Sequence, residues 1–222
     1  MADIKIITTE DGSHSLYHSE LNETYHSFHG AIRESNHVFI QAGLNFLNKD
    51  DISVFEVGFG TGLNALLTAI WAERLNKTVV MHSIEAYPIS DDIASALNYG
   101  DLVEHLSGPQ WLQTMHEQPW GIDMILHDHF QLRKIHALFS EAVLDRLYDI
   151  IYYDAFAPSK QPDMWTQEII EKAVNMLSPG GCFVTYCAQG QLKRTLKALQ
   201  LEVETLPGPP GKKEMVRAVK RV

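Results

Sequence analysis

The sequence predicts an α/β protein with a mainly parallel sheet. Three observations carry that expectation. Along residues 51–222, short apolar β-branched runs alternate with segments whose apolar residues recur at helical spacing. The first of these runs passes through a glycine-rich turn into a helical pattern, the join of a βαβ unit. The chain closes on two strand-like runs around a Pro/Gly-rich loop, which reads as a hairpin.

The elements follow in order. Residues 1–50 are polar and rich in His, Asn and Ser, with apolar islands such as Val38-Phe39-Ile40. They are expected as an N-terminal appendage packing on the core. Lys49-Asp50-Asp51 is a turn, after which 52–57 reads as a buried strand. Leu63, Leu66, Leu67, Ile70 and Trp71 place a helix that ends near Asn76. A second strand is expected at 78–84, a helix at 90–98, a short third strand at 123–126 and a helix at 139–147. A fourth strand at 149–153 ends at Asp154. A helix over 164–177 is stopped by Ser178-Pro179-Gly180-Gly181. A strand at 182–187 and a helix at 191–199 precede the closing strands, near 201–206 and 215–222.

Composition sets limits. The 222 residues are 45% hydrophobic and 21% charged, which is globular and too apolar for a disordered chain. No apolar run approaches the roughly 18 residues that a membrane span needs. The start lacks a basic stretch followed by an apolar one, so a secreted protein is not expected and a cytoplasmic one is. Cys182 and Cys187 are too few for a disulfide scaffold and lack zinc-site spacing, so they read as buried thiols.

Eighteen Lys and Arg stand against 28 Asp and Glu, a net charge of −10. That argues against a general nucleic-acid binder. The charge is uneven, however. From Gln191 onward there are 8 basic and 3 acidic residues. Lys193, Arg194, Lys197, Lys212, Lys213, Arg217, Lys220 and Arg221 form either a solvated helix face and hairpin tip, or a local phosphate-contacting patch.

In parallel sheets ligands bind at the carboxyl ends of the strands, so chemistry is sought there. After the first strand stands Glu56-Val57-Gly58-Phe59-Gly60-Thr61-Gly62-Leu63-Asn64. Glycines let the backbone turn sharply and approach a ligand. The next helix aims free N–H groups at the site. A pyrophosphate loop needs G-x-G-x-x-G, but here the third glycine comes one residue early. An acidic residue before G-x-G-x-G suits a cofactor with no phosphate and a cationic amino acid part, such as S-adenosylmethionine. Glu56, Gly58, Gly60, Gly62 and Asn64 are therefore candidate cofactor residues.

Glu85 follows the second strand, roughly 20–25 residues from the turn, where a carboxylate can accept both ribose hydroxyls. Asp128, after the third strand, could accept from the adenine amino group. His127-Asp128-His129 also suggests a metal. Alternate strand residues supply no third or fourth ligand, so no metal is expected. After the fourth strand stands Asp154-Ala155-Phe156-Ala157-Pro158-Ser159-Lys160-Gln161-Pro162-Asp163-Met164-Trp165. A carboxylate there can hold and deprotonate an amine, and aromatic faces can sandwich a flipped-out base.

These stretches, with Thr166, Gly211-Lys212-Lys213-Glu214-Met215 and the run from Tyr25 to Phe39, resemble a known family. It is the tRNA wobble-uridine methyltransferase family of MnmD and of the methyltransferase half of the bifunctional MnmC. The likeness spans nearly the whole chain. It implies a class I S-adenosylmethionine-dependent, Rossmann-like fold with seven strands, the last antiparallel, making 51–222 the methyltransferase domain. It implies methyl transfer to the amine of 5-aminomethyl-2-thiouridine at the tRNA wobble position. The oxidase half of the bifunctional members has no counterpart in this sequence, so other enzymes are expected to supply the aminomethyl group.

On that reading Asp154 orients the amine and takes its proton. Phe156 and Trp165 stack the wobble base. Lys160, Lys212 and Lys213 contact phosphate. The alternative is a methyltransferase of the same fold acting on a small-molecule or protein amine. A non-catalytic cofactor-binding protein is a third reading, against which the intact glycine turn and Asp154 argue.

Overall fold

In a computed structural model, which describes residues 4–221, the early polar segment is ordered. Ile4–Thr8 (β1), His14–His18 (β2) and Glu23–Thr24 (β3) form a small antiparallel sheet. Ala31–Ser35 (α1) continues into a π-helical turn, Asn36–Gln41. The apolar islands of this segment are what hold it down. Leu16, Ala31, Val38, Phe39, Ile40 and Leu44 are buried in the same cluster as the main sheet. The Phe39 ring lies 4.9 Å from that of Tyr152.

The main sheet has eight strands: β4 (Asp51–Val57), β5 (Thr78–Glu85), β6 (Asp123–His127), β7 (Phe130–His136), β8 (Tyr148–Tyr153), β9 (Leu177–Thr185), β10 (Leu201–Pro207) and β11 (Glu214–Lys220). Their order is β10-β11-β9-β8-β4-β5-β7-β6. The run β9-β8-β4-β5-β7 is parallel. The last strand, β11, lies antiparallel between β9 and β10, as the resemblance implies.

Adjacent residues of each strand feed opposite layers, the period of two that strand geometry requires. Val54, Ile150 and Tyr152 join one core, against Leu63–Leu75 (α2) and Gly108–Glu117 (α5). Between these helices lie two short ones, Asp91–Ser95 (α3) and Tyr99–Leu102 (α4). Phe55, Val57, Ile151 and Tyr153 join the other core, against Gln167–Asn175 (α6) and Gly190–Ala198 (α7). Helix α2 is buried from Leu63 through Ala72 because the N-terminal segment covers the side that faces away from the sheet. It ends at Asn76 in the left-handed conformation, φ 53°.

Four expectations change. The sheet has one strand more than seven. The short run taken as the third parallel strand is β6, an antiparallel edge strand, and the true third parallel strand is β7. Strand β7 escapes a hydropathy reading because Arg133-Lys134 interrupts it. Lys134 is nonetheless buried, donating to the His116 carbonyl at 2.9 Å with its ammonium 4.7 Å from the Trp120 ring centre. Finally, 139–147 is turn and extended chain rather than helix, and β9 begins before the Pro-Gly-Gly run instead of after it.

Candidate active site

A cleft of about 1550 Å³ opens along the carboxyl ends of β4, β5, β7 and β8. Its floor is the glycine turn. Gly58, Gly60 and Gly62 have φ of 96°, 50° and 74°, a region that favours glycine. A Cβ on Gly58 would stand 3.1 Å from the Asp154 carbonyl oxygen, so the missing side chain lets the two strand ends close together. Gly58 and Phe59 donate to the Ile84 carbonyl, at 2.9 and 3.2 Å. The Gly60 amide donates to Glu85 Oε2 at 3.0 Å.

The turn is clamped from two sides. His26 Nε2 pairs with Thr61 Oγ1 at 2.9 Å, and His116 Nε2 lies 3.0 Å from the Thr61 carbonyl. Burial lowers His26 to about 4 and also lowers His116, so both rings are neutral near pH 7. Tyr25 lies over Gly60 and meets Phe156 edge-on at 5.0 Å. The N-terminal segment is thus a wall of the cleft.

Asp154 directly follows β8 and lines the cleft. Its Oδ2 accepts from Asn64 Nδ2 at 2.9 Å. Burial, then the nearby Glu34 carboxylate, raises Asp154 to about 7, with Asn64 and Lys212 pulling the other way. Glu34 forms an ion pair with Lys212 and accepts from the Ser27 amide at 2.7 Å. The Lys212 ammonium lies 4.4 Å from the centre of the Tyr186 ring. A carboxylate, a cation and an aromatic face therefore surround Asp154.

Gly58, Gly60, Asn64, Glu85, Asp154, Phe156 and Lys212 all line the cleft. The other expected residues do not. Glu56 is fully buried beneath the turn, where its Oε2 accepts from Ser83 Oγ at 2.5 Å. Gly62 shapes the turn from behind, next to Phe59 and His116.

Asp128 is a correction. It is exposed in the turn between β6 and β7, at the end of the sheet opposite the cleft. Phe130 pairs with Val79 at the start of β5, whereas His136 pairs with Glu85 at its end. Ala137, Leu138 and Phe139 occupy the cleft position expected of Asp128.

Trp165 is turned inward. It meets Tyr153 at 5.1 Å, and its Nε1–H donates to the Phe156 carbonyl at 2.7 Å. Lys160 bonds the Asn22 carbonyl, and Lys213 is exposed at the hairpin tip. Tyr25, His26, Glu34 and Tyr186 line the cleft without being candidate residues in the sequence; only the family resemblance of the run from Tyr25 to Phe39 touches the first three.

The cleft suits S-adenosylmethionine. Left-handed glycines give close backbone approach, the first turn of α2 presents free N–H groups, and the Glu85 carboxylate stands at the end of β5. Among the described residues no group of three His, Cys, Asp or Glu could hold a metal ion. No helix among them is long and apolar enough to cross a membrane.

Comparison with known proteins agrees with this geometry. Residues 133–221 match a family described as S-adenosyl-L-methionine-dependent methyltransferase. The bifunctional protein MnmC of Cupriavidus necator, of tRNA 5-methylaminomethyl-2-thiouridine biosynthesis, is 30% identical over 91% of this chain and 32% of its own length. Its counterpart in Pseudoalteromonas atlantica is 32% identical over 88% of the chain and 30% of its own. The chain thus spans about a third of the length of these relatives. The crystal structure of MnmC2 from Aquifex aeolicus superposes with TM-score 0.78 at 23% identity, covering 98% of this chain and 70% of that one. Along nine-tenths of its length the chain is thus similar to one part of MnmC, and it shares the class I methyltransferase fold.

Proposed function

We propose that this chain transfers a methyl group from S-adenosylmethionine to the exocyclic amine of 5-aminomethyl-2-thiouridine at the wobble position of tRNA, forming 5-methylaminomethyl-2-thiouridine. Residues 51–222 act as the methyltransferase domain and residues 1–50 as an appendage that walls the cleft. The relatives' role in tRNA 5-methylaminomethyl-2-thiouridine biosynthesis supports this substrate. The protein would work in the cytoplasm, where tRNA is modified. The observation that carries the reading is Asp154, a carboxylate beside the glycine turn, held by Asn64 and facing the cleft.

Gly58, Gly60 and the first turn of α2 would hold the cofactor backbone-first, and Glu85 would accept from its ribose hydroxyls. The cofactor supplies an electrophilic methyl on a sulfonium. The chain's own task is to present a neutral amine to it, because an alkylammonium has no lone pair. Asp154 accepts the ammonium proton and keeps the nitrogen aligned. An ordinary carboxylate is too weak a base to do this well near neutrality, whereas one raised to about 7 is matched to the operating pH. Alignment supplies the larger part, since well-oriented reactants can save roughly 7–11 kcal/mol of barrier. Phe156, half-buried in the cleft wall beside Tyr25, offers a face for the base. Lys212 offers positive charge toward phosphate, with Lys160 and Lys213 farther out.

The test is transfer of labelled methyl from S-adenosylmethionine to two bulk tRNA pools, one blocked at the aminomethyl stage and one fully modified. Label in the blocked pool alone supports the proposal. No label in either pool, with cofactor binding intact, moves the substrate to a small-molecule or protein amine. One observation favours that second reading: Lys193, Lys212 and Arg217 of the basic C-terminal stretch are engaged in ion pairs with Glu214, Glu34 and Glu204.

A further inference from the structure

Beneath the glycine turn lies a carboxyl group that the reaction above does not use. Glu56 is fully buried on β4, and Ser83 Oγ donates to its Oε2. Its other oxygen, Oε1, is buried and has no hydrogen-bond partner. Asn64 Oδ1 is in the same condition. The Asn64 amide is within hydrogen-bonding reach of Glu56, yet its NH₂ donates to Asp154 Oδ2 at 2.9 Å. Two side chains within reach of each other therefore each carry one buried acceptor without a partner.

With the Asn64 amide in this orientation, an ionised Glu56 would leave Glu56 Oε1 and Asn64 Oδ1 unsatisfied, at a cost on the order of 1–3 kcal/mol for each, besides the cost of a buried charge. The ionisable groups that face it offer no relief. Asp154 at the end of β8 and Glu85 at the end of β5 are carboxylates, and Tyr152 on β8 is a phenol that burial holds neutral. Burial, opposed by the bond from Ser83 and by the nearby Asn64 amide, raises Glu56 to about 8.

A single proton on Oε1 resolves the conflict, because it gives both oxygens a partner. We propose that Glu56 is a neutral carboxylic acid whose Oε1–H donates to Asn64 Oδ1, making it a positioning residue for Asp154 and not an anionic ligand of the cofactor. The inference rests on Asp154 being the group that receives the amine. The result is a directional chain: Ser83 donates to Glu56, Glu56 to Asn64, and Asn64 to Asp154. Asp154 is left as an acceptor only, which is the state the reaction needs. Loss of the Glu56 proton reverses the amide. Asn64 then turns its NH₂ to Glu56 and its oxygen to Asp154, which must keep a proton of its own to bond it.

The test reads carboxyl protonation directly, by infrared difference spectroscopy of the cofactor-free protein. The parent minus Glu56→Gln spectrum at pH 6.5 is expected to show the carbonyl band of a protonated acid, lost by pH 9. A carboxylate band at pH 6.5 would overturn the proposal. The parent minus Asp154→Asn spectra give the Asp154 titration. Its midpoint is expected to rise by about one pH unit in Glu56→Leu, which loses the oriented donor, and to return toward the parent in Glu56→Gln, whose amide can donate to Asn64. An unmoved midpoint in Glu56→Leu would overturn the positioning role.

Cofactor affinity by calorimetry separates the rival role. Glu56→Gln is expected to bind S-adenosylmethionine within about twofold of the parent, and a loss of more than about tenfold would make Glu56 an anionic cofactor ligand instead. None of these readouts needs tRNA. A protonated Glu56 with no methyl transfer to tRNA would sink the proposed substrate and leave this inference standing.

Discussion

Asn64 and Asp154 stand ninety positions apart in sequence and meet through one hydrogen bond of 2.9 Å, from the first turn of α2 to the end of β8. The bond ties the start of α2 to the end of β8 across the cleft. It commits one oxygen of Asp154, and in the proposed mechanism the other meets the amine.

Asp154→Asn is expected to lower kcat by roughly 10²-fold or more while changing S-adenosylmethionine affinity by no more than about threefold. Asparagine keeps the shape and loses the acceptor for the proton. Single-turnover kinetics and calorimetry on the same preparation check both halves.

The pH profile should carry the electrostatics of the pocket. Asp154, raised to about 7, works as the ionised form, so turnover should rise as pH passes upward through 7. Glu34 raises this carboxyl and Lys212 lowers it. Glu34→Gln should therefore move the acid limb to lower pH, and Lys212→Met should move it to higher pH. Shifts in the same direction would contradict the arrangement.

Stability should fall between about pH 6.5 and 8. In that window folded Glu56, raised to about 8, and folded Asp154, raised to about 7, hold protons that the unfolded chain has released. The folded state then binds more protons, so rising pH favours unfolding. Below about 6.5 the buried His26, lowered to about 4, acts with the opposite sign. Above about 8 the buried Lys134, lowered to about 8, does the same. Urea titrations at the two ends of the window measure the fall, and Glu56→Gln should reduce it.

His26→Ala should weaken cofactor binding by about tenfold, the scale of one lost buried hydrogen bond. His26 lines the cleft and holds the Thr61 hydroxyl, so part of the loss would come through the shape of the glycine turn. Thr61→Val should reproduce it, and the double variant should add little, which a double-mutant cycle can read.

Trp165 and Phe156 should part company. Trp165→Phe removes the bond to the Phe156 carbonyl and should lower the melting temperature by several degrees, a loss of about 1–3 kcal/mol. Phe156→Leu, on the cleft surface, should instead raise KM for tRNA with little change in melting temperature. Thermal scans beside steady-state kinetics distinguish the two.

The sequence by itself determined the alternation of strands and helices, the glycine turn, and the carboxylates Glu85 and Asp154 at the strand ends. Those features are local: a period of two, a period of 3.6, or a backbone that needs glycine. Tertiary structure alone decided what surrounds them. Asp128 was misplaced because β6 and β7 form a hairpin, and the direction of a strand is set by its neighbours and not by its composition. Glu56 read as a ligand because its position is one residue from the turn, yet the alternation of β4 points it into the core. Glu34, Tyr186 and Lys212 meet only because the β10–β11 hairpin closes over the N-terminal segment. A half-buried ion pair across 178 positions leaves no trace in local pattern, since only the fold brings its two partners together.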